Sequence, residues 1–261
     1  MIVVKFGGHA MRDENGGFSQ AIATALGDGE SVVVVHGGGP QIDKALSAAG
    51  IESRFVGGFR YTTPQAFDVV ERTLVSEVGQ SLEASLRDGG IPAKALSGRT
   101  LPTLIARKKT SLVDGSAAEL GQVGDVVSVN TKAIKEILSE GKVPVIAPVA
   151  ADEKSGNGLN VNADLAAAAI AGAMDASSLI ILTDVSGIYR NWPDETSLIS
   201  TITYKELAAM KSTFKEGMAP KVQAVLDAID QGAQAVRIID GTDPKNLVAA
   251  LSGVGGTLVS A

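Results

Sequence analysis

Val32-Val33-Val34-Val35-His36-Gly37-Gly38-Gly39-Pro40 is the stretch that decides the architecture. Four β-branched residues in succession predict a strand buried on both faces, because a strand with one wet face would alternate. Three glycines end it, and Pro40 suits the first turn of a helix. A strand that runs into glycines ahead of a helix leaves bare N–H groups at the positive helix end, where a phosphate or carboxylate can be held. Glycines also serve tight turns and close packing, so this run alone leaves both readings open. It is neither a Gly-x-x-x-x-Gly-Lys-Ser/Thr loop nor a Gly-x-Gly-x-x-Gly dinucleotide fingerprint. A second stretch, Ile2-Val3-Val4-Lys5-Phe6-Gly7-Gly8-His9, repeats the pattern with a lysine inside the strand. Two such turns and a strand lysine favour an anion site.

Working outward, strand-like and helix-like segments alternate. Helices are expected over residues 18–26, 40–49, 64–86, 131–139, 165–173, 205–210 and 245–251, and Gly217-Met218-Ala219-Pro220-Lys221 leads into another that runs to about Gln231. Strands are expected over 93–96, 143–147, 179–184, 235–239 and 257–259. In the helix after Pro64, Phe67, Val70, Leu74, Val78, Leu82 and Leu86 recur at three- and four-residue spacing, one buried stripe. Residues 55–63 read as irregular, and 104–107 with 126–129 as a hairpin excursion. The alternation implies an α/β fold, a three-layer sandwich with a mostly parallel central sheet and helices on both faces. Two lobes around a cleft are expected, residues 1–172 and 173–261.

The chain has 261 residues, and its 23 Lys and Arg against 29 Asp and Glu give a net charge of −6. That balance argues against a nucleic-acid partner, which calls for a basic face. It also means that positive groups serving an anionic ligand must be concentrated locally. With no cysteine, disulfides, thiolate metal sites and cysteine nucleophiles are excluded, and two histidines, His9 and His36, cannot build a His-rich metal site. No apolar run of about 18 residues suggests a membrane span. The first residues enter a strand without a signal-peptide pattern, so a cytoplasmic location is expected.

Three side chains stand out. Lys5 ends a buried strand, where desolvation is costly unless an anion meets it; an edge lysine reaching for water is the plainer alternative. Lys221 falls near the start of a helix, where a cation is disfavoured unless a phosphate is its partner, although an exposed helix lysine remains possible. Asp164 follows Asn160-Val161-Asn162-Ala163 ahead of an alanine-rich helix, and simple capping would explain one of these polar residues but not three. Together they offer two cations and a carboxylate able to hold them in place.

With Lys5-Phe6-Gly7-Gly8, His36-Gly37-Gly38-Gly39-Pro40, Gly58-Phe59-Arg60, Leu120-Gly121-Gln122-Val123-Gly124, Asn160-Val161-Asn162-Ala163-Asp164, Thr183-Asp184-Val185-Ser186-Gly187 and Gly217-Met218-Ala219-Pro220-Lys221, the chain resembles the amino acid kinase family over nearly its full length. The resemblance implies ATP-dependent phosphorylation of the side-chain carboxylate of N-acetyl-L-glutamate, in arginine synthesis. Its N-terminal lobe would bind the acidic substrate and carry a homodimer contact, and its C-terminal lobe would bind ATP. By matching position, Lys5 and Lys221 would stabilise the phosphoryl group in flight and Asp164 would orient both. Gly8 and Gly38 would hold the transferred phosphate through N–H groups. Gly38, Gly39, Arg60, Asn160 and Asn162 would bind the acidic substrate. Thr183, Asp184, Val185, Ser186, Gly187, Ile188 and Tyr189, with Thr213, Phe214, Lys215, Gly217 and Met218, match stretches that contact the nucleotide. No carboxylate cluster announces a metal site, so magnesium is expected to ride mainly on the ATP phosphates.

The chain also departs from the family's pattern. The run Leu74-Val75-Ser76-Glu77-Val78-Gly79-Gln80 lacks the lysines that members often carry there. Tyr189-Arg190-Asn191-Trp192-Pro193-Asp194-Glu195 looks like a branch whose glutamate or aminoadipate substrate is attached to a small acidic carrier protein. Arg107-Lys108-Lys109 could face such a partner, or could simply be solvated. Free N-acetyl-L-glutamate stays ahead, because Asn160-Val161-Asn162-Ala163-Asp164 and Gly38-Gly39-Pro40 sit closer to the free-substrate kinases. A chain that begins at its first strand further implies a dimer insensitive to arginine. A non-catalytic nucleotide or amino-acid sensor on the same fold is the alternative from another class; retention of Lys5, Asp164 and Lys221 speaks against it.

Overall fold

The valine run forms β2 (Val32–His36), buried along its whole length, and pairs in parallel with β1 (Ile2–Phe6). A computed structural model describes residues 1–7, 16–214 and 218–261. Within them the main sheet also takes in β5 (Ala93–Ser97), β8 (Val143–Ala147), β11 (Ser178–Thr183), β12 (Thr201–Thr203), β13 (Ala235–Asp240) and β14 (Thr257–Ser260). The order is β12-β14-β13-β11-β1-β2-β8-β5, and every neighbouring pair is parallel except β13 and β14.

Alternate strand residues feed two separate cores, which is why the strands read as unbroken apolar runs. Val3, Val33, Val35, Leu179 and Ile181 pack with residues of α5 (Thr131–Ser139), α6 (Ala163–Ala173), α7 (Tyr204–Met210) and α8 (Met218–Asp230). Ile2, Val4, Val32, Val34 and Ile180 pack on the other side with residues of α1 (Gly17–Gly27), α4 (Gly79–Asp88) and α9 (Pro244–Leu251). This is the three-layer α/β arrangement that the alternation predicts. One continuous sheet runs through both halves of the chain, since β11 pairs directly with β1.

Several segments differ from expectation. Residues 55–63 hold a short antiparallel pair, β3 (Phe55–Val56) and β4 (Phe59–Arg60). The expected hairpin exists as β6 (Leu104–Lys108) and β7 (Val123–Val129). It does not stand alone: β9 (Val149–Asp152) and β10 (Gly158–Val161) close it into a four-stranded barrel. Those two strands are short and carry alanine, asparagine and glycine, so no apolar alternation advertises them. The helix expected over 64–86 is α3 (Pro64–Arg72), then a π-helical stretch over Thr73–Val78, then α4. An apolar stripe at three- and four-residue spacing does not reveal one added residue per turn.

The chain leaves β1 for β2 on one side of the sheet and returns to β11 on the other. The crevice outside the carboxyl ends of such strands is where open α/β sheets bind ligands. Lys5, the glycine turn after β2 and Thr183 all lie at those ends.

Candidate active site

Val3 faces α6, and the two-residue period of a strand puts Lys5 on that same face. Asn162 caps α6, its Oδ1 accepting from the N–H groups of Asp164 at 2.9 Å and Leu165 at 3.2 Å. The cap sets Asp164 in the first helical turn, where its negative charge is favoured. From there its carboxylate bridges two lysines. Asp164 Oδ1 lies 3.0 Å from Lys5 Nζ, and Oδ2 accepts a hydrogen bond from Lys221 Nζ at 2.9 Å. With Lys5 only 6% and Asp164 only 4% exposed, this pair is out of bulk water.

Burial by itself would raise the Asp164 pKa, but the Lys5 and Lys221 ammonium groups override it and hold the carboxyl well below the usual carboxylate range. Burial lowers the pKa of Lys5, with Lys221 adding to the fall and Asp164 opposing it. Asp184, on the wall of the larger cavity, also acts on both lysines, so the two ammonium groups stand between two carboxylates.

A cavity lies on each side of this triad. The smaller, about 220 Å³, is bounded by Lys5, Asp164 and the glycine turn. Gly38, Gly39, Arg60, Asn160 and Asn162 all line it, so the five residues expected to bind the acidic substrate come together. Arg60 is buried and held from behind by Asp43 and Ser53, and its Nη2 donates to Gly39 O at 3.4 Å. Asn160 Nδ2 donates to Thr62 Oγ1 at 3.2 Å. Asn162 contributes from the wall, its side-chain oxygen being the α6 cap. Gly38 precedes α2 (Gly39–Ala48), and a Cβ there would come 2.8 Å from Leu74 Cδ2, so a larger residue would have to displace that side chain.

The larger cavity, about 570 Å³, reaches Lys221 and is lined by Thr183, Asp184, Val185, Tyr189, Thr213, Phe214 and Met218 of the expected nucleotide residues. Ser186, Gly187 and Ile188 do not line it. Ile188 is core, its N–H donating to Thr257 Oγ1 at 2.8 Å, and Gly187 packs closely against Thr257. Gly8, Lys215 and Gly217 lie outside the described residues. The sequence reading passed over Arg190, Asn191 and Trp192 as nucleotide-cavity residues, and Phe55, Ile42 and Leu74 in the smaller cavity. Trp192 carried a usable signal, because the only tryptophan of the chain stands in a polar, proline-bearing loop.

Among the described residues no three His, Asp or Glu side chains converge as a metal-binding group, and both Asp164 oxygens face lysines. The basic run Arg107-Lys108-Lys109 is neutralised in place, since Arg107 pairs with Glu153, Lys108 with Glu119 and Lys109 with Asp125.

Two cavities meeting at a lysine–aspartate–lysine bridge, on a mostly parallel sheet and beside a glycine turn, define a class. The chain belongs to the amino acid kinase family, whose family model matches residues 1–240. Among curated proteins it is similar to the acetylglutamate kinase of an Arthrobacter species, 46% identical over 254 residues covering 95% of this chain and 82% of that protein. The acetylglutamate kinase of Corynebacterium jeikeium is 39% identical over 258 residues, 98% of this chain and 81% of that one. Among solved structures, a Streptococcus mutans protein superposes with a TM-score of 0.83 at 29% identity, covering 100% of this chain and 98% of that chain. A carbamate kinase from Giardia, with a TM-score of 0.70 at 18% identity and coverage of 99% and 98%, shares the fold.

Proposed function

We propose that the protein transfers the γ-phosphoryl group of ATP to the γ-carboxylate of N-acetyl-L-glutamate, forming the acyl phosphate used in arginine biosynthesis. The observation that carries this reading is the bridge of Lys5, Asp164 and Lys221 standing between two cavities. The 39–46% identity to acetylglutamate kinases over most of the chain supports the choice of acceptor.

A carboxylate with a pKa of about 4.3 is already ionised at neutral pH, so the nucleophile needs no general base. One of its oxygens forms a bond to the γ-phosphorus while the bond to the β,γ-bridging oxygen breaks, and ADP leaves with that electron pair. The obstacle is bringing anions together, and phosphoryl transfer is catalysed mainly by positioning and electrostatic stabilisation. Lys5 and Lys221 supply positive charge on either side of the transferred group, and Asp164 keeps both in place. The Gly38 N–H donates to an equatorial oxygen. Arg60, gripped by Asp43 and Ser53, offers its remaining N–H groups to the α-carboxylate of the substrate. Residues 1–172 hold the acidic substrate and residues 173–261 the nucleotide. The side of β5 away from β8, with no further strand on it among the described residues, supports a homodimer contact on the first half. The paired state of Arg107, Lys108 and Lys109 favours a free substrate over one on an acidic carrier.

Hydroxylamine trapping with ATP and magnesium tests this reading, comparing N-acetyl-L-glutamate, free glutamate and N-acetyl-α-aminoadipate, with Lys5→Ala as control. Turnover on N-acetyl-L-glutamate that Lys5→Ala abolishes is expected. Silence on all three from folded protein that binds ATP would overturn it.

A further inference from the structure

Gly37 is gripped through both of its backbone polar groups. Its N–H donates to Phe6 O at 2.7 Å, and its carbonyl oxygen lies 2.8 Å from His36 Nδ1. A carbonyl only accepts, so Nδ1 carries the hydrogen. His36 is fully buried, and burial pushes its pKa down to about 4, against the opposing pull of the Gly37 contact. The ring is therefore neutral at pH 7, and Nε2 is a bare lone pair. That lone pair has no hydrogen-bond partner among the described residues. It faces Gly79 at the end of the π-helical stretch, where a Cβ would come within 3.1 Å of it. A buried acceptor without a partner costs stability that a leucine would not. The imidazole at this position must therefore contribute something through Nδ1.

The peptide between Gly37 and Gly38 is trans, so the Gly38 N–H points opposite to the Gly37 carbonyl. Fixing the carbonyl toward His36 thus fixes the N–H on the other side of the peptide plane, and Gly38 lines the smaller cavity with Lys5 and Asp164. Between two glycines a peptide meets little steric resistance to turning over. Turned over, it would present a carbonyl oxygen to the incoming anion.

We propose that His36 is a positioning residue, whose Nδ1–H holds the Gly37–Gly38 peptide with the Gly38 N–H aimed at the phosphoryl group in transfer. The inference rests on the phosphoryl-transfer reading above. His36→Leu keeps volume and removes the donor, whereas His36→Asn keeps an N–H donor near the Nδ1 position. His36→Leu should lower kcat about 100-fold, the scale for losing one oxyanion-type donor. KM for ATP and N-acetyl-L-glutamate should change little, and His36→Asn should recover most of kcat. Equal kcat in the two variants would overturn the proposal, as would a loss in His36→Leu confined to KM.

A second measurement on the wild-type chain covers the case in which the variants do not fold. With two histidines in the sequence, ¹⁵N-detected imidazole correlations can assign the tautomer of His36. A neutral ring protonated at Nδ1 is expected from pH 6 to 8, and an Nε2–H tautomer would overturn the proposal. Failure of the wild-type protein to form acyl phosphate would instead sink the phosphoryl-transfer reading, while the tautomer would stay measurable.

Discussion

Replacing Asp164 with asparagine keeps the shape of the bridge and removes its charge, which makes it the sharpest perturbation of the site. The α6 cap should survive, because it belongs to Asn162. What is lost is attraction to two ammonium groups at 3.0 and 2.9 Å. At an effective dielectric constant of about 20, each contact amounts to about 5–6 kcal/mol of gross attraction. Most of that is offset by desolvation, and breaking a buried pair by removing one partner typically costs about 3–5 kcal/mol. Chemical denaturation should register a loss of that size at pH 7. Asp164 has a folded-state pKa below its unfolded value, so its stabilisation is present above about pH 4 and lost as pH falls through the folded-state pKa. The variant should lack that acid-side loss. Lys5 would keep its burial without its carboxylate, and losing that attraction lowers the lysine pKa further. Since burial already lowers the Lys5 pKa, kcat of Asp164→Asn should fall as pH rises from 6 to 9, much more steeply than that of the wild type. At pH 8 the deficit should reach about 100-fold. A variant as stable and as active as the wild type, or with the same pH profile, would refute this account of the bridge.

Arg60→Lys should raise KM for N-acetyl-L-glutamate by about tenfold or more and leave kcat within a few-fold, because lysine cannot grip Asp43 and Ser53 while offering a fork to a carboxylate. An unchanged KM in steady-state assays would remove Arg60 from the substrate site. Trp192, the only tryptophan and 62% exposed, lines the larger cavity edge-on to Tyr189 at 5.1 Å. Its fluorescence should change on ATP binding and not with tripolyphosphate; an unchanged spectrum at saturating ATP would place the base elsewhere. Gly38→Ala must push back Leu74, whose Cδ2 would be 2.8 Å from the new Cβ, so a loss of about 1–3 kcal/mol in denaturation and a large fall in kcat are expected. Wild-type stability in that variant would show that the turn has room to spare.

What the sequence made legible was whatever rests on period and desolvation. Val32–His36 announced a strand buried on both sides because a continuous apolar run has few other solutions. Lys5 stood out because an ammonium group cannot end such a strand without a partner. The Asn160–Asp164 stretch could be parsed because capping uses one side chain, and in the structure Asn162 is that side chain, leaving Asp164 for the lysines and Asn160 for Thr62. The illegible parts depend on contacts distant in sequence. β9 and β10 are strands because β6 and β7 lie beside them. The π-helical stretch shifts one turn of an otherwise regular stripe, at the point where Leu74 meets Gly38. Arg60 is aimed by Asp43 and Ser53, residues 17 and 7 positions away. The charge run at residues 107–109 left a partner-facing loop and a solvated one both open, and is a set of three separate pairs.

An acidic chain of net charge −6 that handles anions has to solve a problem of placement. Its fold does so by converging helix N-termini as well as side chains. Gly38 and Gly39 open α2, Asp164 lies in the first turn of α6, and Lys221 lies in the first turn of α8. Each of these ends carries a partial positive charge of about half a unit. Lys221 is therefore in a position that disfavours a cation, and Asp164 answers that by meeting it at 2.9 Å. The same carboxylate meets Lys5 from β1 at 3.0 Å, so one anion organises cations from a strand and a helix. At the junction of the two cavities the two ammonium groups are thus held together beside Asp164, with Asp184 acting on both. A carboxylate and a phosphoryl group can then approach each other there without a general base, and the geometry rather than a proton transfer carries the rate.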